Sequence, residues 1–331
     1  MRVSIKVSAA ILAISAIASS AVHSKSTTPV SNPTSTLVTA PGPSGKLAGT
    51  LLDAGAKSPL VIILPGSGPT DRDGNNPGGV SSASYRLLAE AMGAQGISTL
   101  RTDKRGMFGS AAAIPDPNAV TVGDYAADVE SWIASMQTRQ KRACLWLLGH
   151  SEGGLVALIA AQRQRNVCGV ILLAAPGRKL DDVLREQLKS NPANVPVLPD
   201  AMRALDELGA GRKVDVSAMH PALQSLFNPS VQPFLIDMFR NDPAKLASAV
   251  TAPMLIIGGG RDIQVAVSDV DALAAAKQSA KKIIIADMTH ALKAVATDDR
   301  AANIATYANP ALPVHPELVK AIGMFVKSGG K

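Results

Sequence analysis

The sequence has few aromatic residues and no concentrated run of positive charge. Aromatic side chains make up 3% of the 331 residues, so the core must be built mainly from Ala, Val, Leu and Ile. The formal net charge is +7, but the basic residues are scattered and are not interleaved with aromatics. Nucleic-acid-binding surfaces usually combine these two features. We therefore expect no nucleic-acid partner.

The sequence also lacks the motifs that commonly hold metals and cofactors. It contains no H-E-x-x-H pair, no cluster of cysteine with histidine and no dinucleotide-binding glycine fingerprint. Each of these motifs places ligands or backbone amides at a spacing that its cofactor requires. We expect neither a metal nor an organic cofactor.

Cysteine occurs only twice, at Cys144 and Cys168, each at the start of an apolar run. If these runs are neighbouring parallel strands, both thiols lie at the same end of the sheet. An oxidising compartment then favours a disulfide. The alternative is two buried free thiols, because free cysteine packs as a small hydrophobe. The sequence leaves both readings open.

The N-terminal segment has the pattern of a secretory signal peptide. Residues 1–6 carry two positive charges, residues 7–22 are apolar, and small residues follow. This is the usual order in such signals, and the apolar run is short for a membrane span of roughly 20 residues. We expect residues 1–24 to be removed, leaving no stable membrane span and a periplasmic or secreted protein. A single membrane anchor is the alternative.

Beyond the signal, the pattern predicts a short arm and one large domain. Residues 25–44 are rich in Ser, Thr and Pro and are predicted to be flexible. From residue 45 to 331, apolar runs of strand length alternate with helical patterns. The predicted strands are residues 47–52, 60–64, 97–102, 145–148, 170–174, 254–257 and 282–285. This alternation predicts an α/β domain with a mostly parallel central sheet flanked by helices.

One long stretch interrupts the alternation. Residues from about 177 to 250 contain helical patterns and prolines without a convincing strand. We interpret this stretch as a helical insertion that lies over the sheet edge as a lid.

The pentapeptide Gly149-His150-Ser151-Glu152-Gly153 lies between a predicted strand and a predicted helix, residues 155–162. A G-x-S-x-G sequence in this context indicates a nucleophile elbow, in which a sharp turn exposes the serine hydroxyl. The serine then stands at a helix N-terminus, where free amides and the helix dipole stabilise an oxyanion. Ser151 is the candidate nucleophile.

The other catalytic groups are expected downstream, in the order nucleophile, acid, base. Asp262 follows the strand at 254–257, and His290 follows the strand at 282–285. A histidine can take the serine proton, and a carboxylate can hold its tautomer. Asp262 and His290 are therefore the candidate acid and base.

Three other acids compete with Asp262: Asp269, Asp271 and Asp287. Asp287 is the most serious rival. It lies only three residues before His290, so we expect its carboxylate to point away from the Nδ1 atom of that histidine.

Two backbone amides are expected to form an oxyanion hole. One belongs to Glu152, directly after the nucleophile. The other is assigned to Ser67 in the glycine-rich loop after residue 64, with Gly68 as the alternative.

Several segments together resemble one known family. They are the run LPGSGPTDRDGN at residues 64–75, the run RTDKRG at residues 101–106, the elbow, Gly260-Arg261-Asp262 and Thr289-His290. In these segments the sequence is similar to exported bacterial α/β-hydrolases usually described as carboxylesterases. The resemblance extends from about residue 47 to the C-terminus. It implies the α/β-hydrolase fold, with Ser151, Asp262 and His290 as the triad.

Four residues are candidates for the substrate pocket: Gly68, Arg72, Phe227 and Phe234. Arg72 could hold a carboxylate or phosphate, but a loop brace paired with Asp103 is the favoured role. The two phenylalanines lie in the predicted lid, and most apolar residues there are expected simply to pack it onto the core.

The sequence thus predicts a serine hydrolase that cleaves small carboxylic esters through an acyl-enzyme. One alternative is a peptidase or amidase of the prolyl oligopeptidase type. Another is a catalytically silent binding protein on the same fold.

Overall fold

The computed structural model describes residues 34–330. The predicted signal peptide, residues 1–24, lies outside the described residues, as do residues 25–33 of the predicted arm. The strands are β1 Thr34–Pro41, β2 Lys46–Asp53, β3 Leu60–Leu64, β4 Asn75–Asn76, β5 Val80–Ser81, β6 Ser98–Thr102, β7 Leu145–His150, β8 Val167–Leu173, β9 Met254–Gly259 and β10 Lys281–Ile285.

Eleven α-helices accompany these strands in the described part of the chain. They are α1 Ser84–Ala94, α2 Val122–Gln140, α3 Glu152–Arg163, α4 Leu180–Ser190, α5 Leu198–Gly209, α6 Pro221–Leu226, α7 Gln232–Phe239, α8 Pro243–Ala249, α9 Val267–Ala276, α10 Arg300–Ala305 and α11 Pro316–Lys327. None that the structure describes is both long and apolar enough to cross a membrane.

Eight of the strands form one sheet in the order β1-β2-β6-β3-β7-β8-β9-β10. Strand β2 pairs antiparallel with both of its neighbours, β1 and β6. The other six strands of the sheet, β6, β3, β7, β8, β9 and β10, run parallel to one another. Helices cover both faces, as a parallel sheet requires. The predicted mostly parallel sheet flanked by helices is confirmed.

Strand β3 shows how the sheet separates two hydrophobic cores. Leu60, Ile62 and Leu64 face the core that includes α2 and α3, whereas Val61 and Ile63 face the core of α1 and α11. Successive side chains on a strand point to opposite faces. All five are buried, and burial of each such side chain contributes about 1.5–3 kcal/mol.

The predicted flexible arm was wrong for residues 34–41. They form β1, which pairs along its whole length with β2. Val38 and Ala40 are buried against the core. Thr39 lies between these two buried residues and is itself exposed, and threonine and valine favour strands.

Residues 177–250, predicted as a helical lid, contain helices α4 to α8 and no strand within this fully described stretch. Helices α4, α5 and α7 contact one another, and α8 packs against α3 and α9. We use the term lid helices for α4 to α7, residues 180–239.

The two cysteines form a disulfide. Cys144 directly precedes β7 and Cys168 lies in β8, and their Cα atoms are 5.2 Å apart. The parallel pairing of β7 with β8 brings the two residues together at the N-terminal ends of these strands. The sequence allows either a disulfide or two buried free thiols, and the structure contains the disulfide.

We expect the Cys144→Ser/Cys168→Ser double variant to lose about 3 kcal/mol of unfolding free energy, because the bond closes a loop with a sequence separation of 24. Thermal unfolding with and without reductant measures the loss. Reductant should lower the Tm of the wild type and leave that of the double variant unchanged. A wild-type Tm that is insensitive to complete reduction would contradict this expectation.

Candidate active site

The candidate catalytic residues lie at one edge of the sheet. Ser67 follows β3, Ser151 follows β7, Asp262 follows β9 and His290 follows β10. These four strands are parallel, so their carboxyl ends meet at the same edge. Crevices outside the carboxyl ends of parallel strands are the usual ligand sites of α/β folds.

Ser151 occupies a strained turn between β7 and α3. Its backbone has φ 53° and ψ −124°, a conformation that non-glycine residues rarely adopt and that costs about 1–3 kcal/mol. The flanking glycines are required by close packing. A Cβ atom on Gly149 would overlap the carbonyl of Gly153, and one on Gly153 would overlap the carbonyl of Leu64. The turn thus has the geometry expected of a nucleophile elbow.

His290 and Asp262 form a buried pair. The Nδ1 atom of His290 is 2.8 Å from Oδ2 of Asp262. The other carboxylate oxygen accepts the amides of Gln264 at 2.8 Å and Val265 at 2.9 Å. These three bonds fix the carboxylate and place the Nδ1 proton of His290 toward it, so Nε2 is left for another partner.

The rival acids have other partners. Asp287 accepts from Nε2 of His315 at 3.0 Å, and its pKa is lowered chiefly by that bond. Asp269 pairs with Arg178 at 2.7 Å, and Asp271 pairs with Lys282 at 3.0 Å. The structure therefore brings Asp262, and none of these three, to His290.

Ser67 and Glu152 both line the lid cavity next to Ser151. Within residues 34–330, neither N–H donates a hydrogen bond to another protein group. Glu152 is the first residue of α3, where backbone amides have no intrahelical acceptor. Ser67 lines the space around Ser151 on both sides, whereas Gly68 lines only one side. This placement favours Ser67 over Gly68 as the second donor.

A chain of hydrogen bonds connects the loops that carry these groups. The Gly66 amide donates to the Tyr85 hydroxyl at 3.0 Å, and that hydroxyl is 2.7 Å from Nδ1 of His150. Nε2 of His150 is 3.0 Å from the carbonyl oxygen of His290. We use the term oxyanion loop for residues 65–74, which follow β3. The chain of hydrogen bonds therefore runs from this loop through Tyr85 of α1 and the elbow to His290, the candidate base.

The donors in this chain can be assigned from its two ends. A carbonyl only accepts, so Nε2 of His150 donates to His290 and Nδ1 must accept from Tyr85. This requires a neutral imidazole. Burial, and then the neighbouring His290, lower the pKa of His150 well below its usual range. Burial raises the pKa of Tyr85, so its hydroxyl keeps the proton that it donates.

Charged residues brace the oxyanion loop from the loop after β6. The Asp103 carboxylate accepts the Arg72 amide at 2.9 Å and pairs with its guanidinium at 3.3 Å. Lys104 is buried, donates to the Gly66 carbonyl at 2.8 Å, and lies 3.5 Å from the Glu152 carboxylate. Arg72 lines neither cavity at Ser151. The pocket role considered for Arg72 was therefore wrong, and the brace with Asp103 is observed.

Two cavities meet at Ser151. The small cavity, about 190 Å³, lies on the side of His290, and the lid cavity, about 760 Å³, lies beneath the lid helices. Phe234 and Gly68 line the lid cavity. Phe227 lines neither cavity, because its side chain is completely buried in the packing of the lid helices. The pocket prediction for Phe227 was wrong.

Three residues at the site have no role that the sequence pattern predicts: Tyr85, His150 and Gln264. The position of His150 next to Ser151 is the one local signal that points to it. Tyr85 is one of only three tyrosines in the chain, but no local pattern connects it to a loop 19 residues earlier. Gln264 lines both cavities, and its backbone N–H donates to the Asp262 carboxylate.

The sequence matches one family model and one known relative. A family model described as "Serine aminopeptidase, S33" matches residues 78–218, which include Ser151 but not Asp262 or His290. The chain is also 28% identical over 258 residues to the esterase EstD of Thermotoga maritima, which covers 76% of this chain and 58% of EstD. The chain thus spans little more than half the length of that relative.

Solved structures match over most of the chain. The esterase Pf2001 of Pyrococcus furiosus is 18% identical with a TM-score of 0.59, covering 89% of this chain and 91% of that one. VinJ is 15% identical with a TM-score of 0.58, covering 89% and 99%. The fold is that of the α/β-hydrolases, as the sequence predicted.

We expect Asp262→Asn to slow labelling of Ser151 by a fluorophosphonate by about three orders of magnitude, because the amide no longer holds the productive tautomer of the histidine. The second-order labelling rate measures this effect. Asp287→Asn is the matched control and should change the rate less than about threefold. Equal losses in both variants would contradict the assignment of Asp262.

We expect Tyr85→Phe to lower the unfolding free energy by about 1–3 kcal/mol, since it leaves the buried Gly66 amide and Nδ1 of His150 without partners. Urea unfolding measures the change. Tyr125→Phe is the control, because the Tyr125 hydroxyl has no hydrogen-bond partner among residues 34–330. A loss in Tyr125→Phe as large as that in Tyr85→Phe would show that the hydrogen-bond chain is not responsible.

Proposed function

We propose that this chain is a serine hydrolase that cleaves carboxylic esters through an acyl-enzyme intermediate. The observation that carries the proposal is the arrangement around one crevice. Ser151 and His290 line the small cavity, and Asp262 is bonded to His290. Ser67 and Glu152, whose amides have no partner among residues 34–330, line the lid cavity together with the strained Ser151. This set of groups is what acyl transfer to a serine requires.

In the acylation step, Ser151 attacks the ester carbonyl while Nε2 of His290 takes the hydroxyl proton. Asp262 keeps the imidazole in the Nδ1–H tautomer and stabilises the imidazolium that forms. The carboxylate is itself held by two amides, so it does not need to reorganise as the charge develops. The imidazolium then protonates the departing alkoxide.

The developing oxyanion would be held by the amides of Ser67 and Glu152. Because these amides are fixed by the oxyanion loop and by the first turn of α3, they are oriented before the substrate arrives. Removal of one such donor typically costs about 3 kcal/mol in the barrier. Water then attacks the acyl-enzyme with His290 as base, which releases the acid and restores Ser151.

The cavity walls favour an ester over an aminopeptidase substrate. A free amino terminus would need a carboxylate partner near Ser151. Among the described residues that line the two cavities, Glu152 is the one carboxylate, and Lys104 lies 3.5 Å from it. A substrate ammonium would therefore compete with an existing buried cation. The names of EstD and Pf2001 as esterases support the same choice.

We further propose that the protein is exported. The predicted signal peptide and the Cys144–Cys168 disulfide support this, because structural disulfides persist mainly in oxidising compartments.

We expect Ser151→Ala to abolish both fluorophosphonate labelling and hydrolysis of nitrophenyl butyrate, because the nucleophile is lost. Gel fluorescence and nitrophenol release measure the two activities. Ser225→Ala is the control, since it removes a serine hydroxyl that lines the lid cavity away from His290.

Three other outcomes would contradict the ester proposal. Turnover that persists in Ser151→Ala would exclude the serine mechanism. Faster cleavage of an aminoacyl nitroanilide than of any ester would favour a peptidase. A wild type that neither labels nor turns over would favour a binding protein.

A further inference from the structure

The two cavities at Ser151 differ in size and in the groups that form their walls. Both include Ser151, Ser67 and Gln264, so they join at the reacting centre. The lid cavity, about 760 Å³, lies within the range of roughly 300–1,000 Å³ that accommodates drug-sized ligands. The small cavity, about 190 Å³, lies below that range. An ester bound across Ser151 would therefore place unequal halves in the two spaces.

The position of His290 identifies the side on which the alcohol leaves. The imidazolium must protonate the departing alkoxide, so the leaving oxygen has to come within hydrogen-bond distance of Nε2. His290 lines the small cavity and does not line the lid cavity. The alcohol half of the ester therefore belongs in the small cavity.

The lid cavity is left for the acyl half, and its walls suit a hydrocarbon chain. Leu184, Val231, Phe234, Leu235 and Met238 of the lid segment line it. Glu152, whose amide would hold the oxyanion, lines the same cavity as Ser151. The acyl carbonyl can thus sit at the amides while its chain extends beneath the lid helices, where burial of each CH₂ contributes about 0.8 kcal/mol.

We propose that the substrates are esters of a long apolar carboxylic acid with a small alcohol. This inference rests on the proposed function. In the reaction, the bond from Oγ of Ser151 to the acyl carbon forms and the bond from that carbon to the alkoxy oxygen breaks. The serine proton passes through His290 to the small alcohol. Water then releases the long-chain acid.

An isomer pair tests the assignment of the two halves. Methyl octanoate and heptyl acetate have the same atoms but place the long chain on opposite sides of the ester. We expect kcat/KM for methyl octanoate to exceed that for heptyl acetate at least tenfold, measured by acid release in a pH-stat. Equal values, or a preference for heptyl acetate, would overturn the inference.

Two variants locate the effect in the cavities. Leu184→Trp narrows the lid cavity and should lower the ratio of kcat/KM for methyl octanoate over methyl butyrate about tenfold or more. Val80→Trp narrows the small cavity and should instead lower the ratio for butyl butyrate over methyl butyrate. Circular dichroism and thermal unfolding identify variants that fold. If Leu184→Trp instead lowered the ratio for butyl butyrate and Val80→Trp lowered the ratio for methyl octanoate, the acyl and alcohol halves would bind in the opposite cavities. That result would overturn the inference.

The outcomes separate this inference from the proposed function. A wild type that hydrolyses methyl butyrate in a Ser151-dependent manner but prefers heptyl acetate is an esterase with the opposite assignment. A wild type that hydrolyses no ester at all contradicts the proposed function and, with it, the inference.

Discussion

A chain of three buried hydrogen bonds holds the candidate site in one arrangement. It joins Gly66, Tyr85, His150 and the carbonyl of His290. Each link belongs to a different loop or helix, and each group in it is buried. Breaking one link would leave a buried polar group unsatisfied, at a cost of about 1–3 kcal/mol, so each loop stabilises the positions of the others. The strained backbone of Ser151 persists because these surroundings determine it from both sides.

Charge pairs also stabilise the loops at this edge of the sheet. Asp103 holds Arg72, Arg101 pairs with Asp73, and Arg105 makes two bonds to Asp128 at 2.7 and 2.8 Å. The first two pairs join the loop after β3 to the loop after β6 and to β6 itself, and the third joins the loop after β6 to α2. The charged residues of the two most distinctive sequence segments therefore act mainly on the shape of the oxyanion loop.

The sheet edge and the lid helices supply different properties. Loops at the ends of β3, β7, β9 and β10 carry the candidate catalytic groups, which need fixed positions for the proposed reaction. The lid helices supply apolar walls around the larger cavity and none of the candidate catalytic groups. In the proposed function, chemistry and substrate choice thus reside in separate segments, as is common where a site is built on a rigid scaffold.

The sequence alone determined the alternation of strands and helices, the elbow at Ser151 and the placement of Asp262 and His290 after their strands. These features depend on local periodicity and on the order of motifs along the chain, and both can be taken directly from the sequence. Tertiary structure decided the rest. It bonded Asp287 to His315 and paired β1 with β2. It also buried Phe227 in the packing of the lid helices and placed Phe234 in the wall of the lid cavity. The partner of Asp287 lies 28 residues away, and the hairpin of β1 with β2 joins the sheet through β6, about 50 residues further along. No local pattern specifies which distant groups will meet.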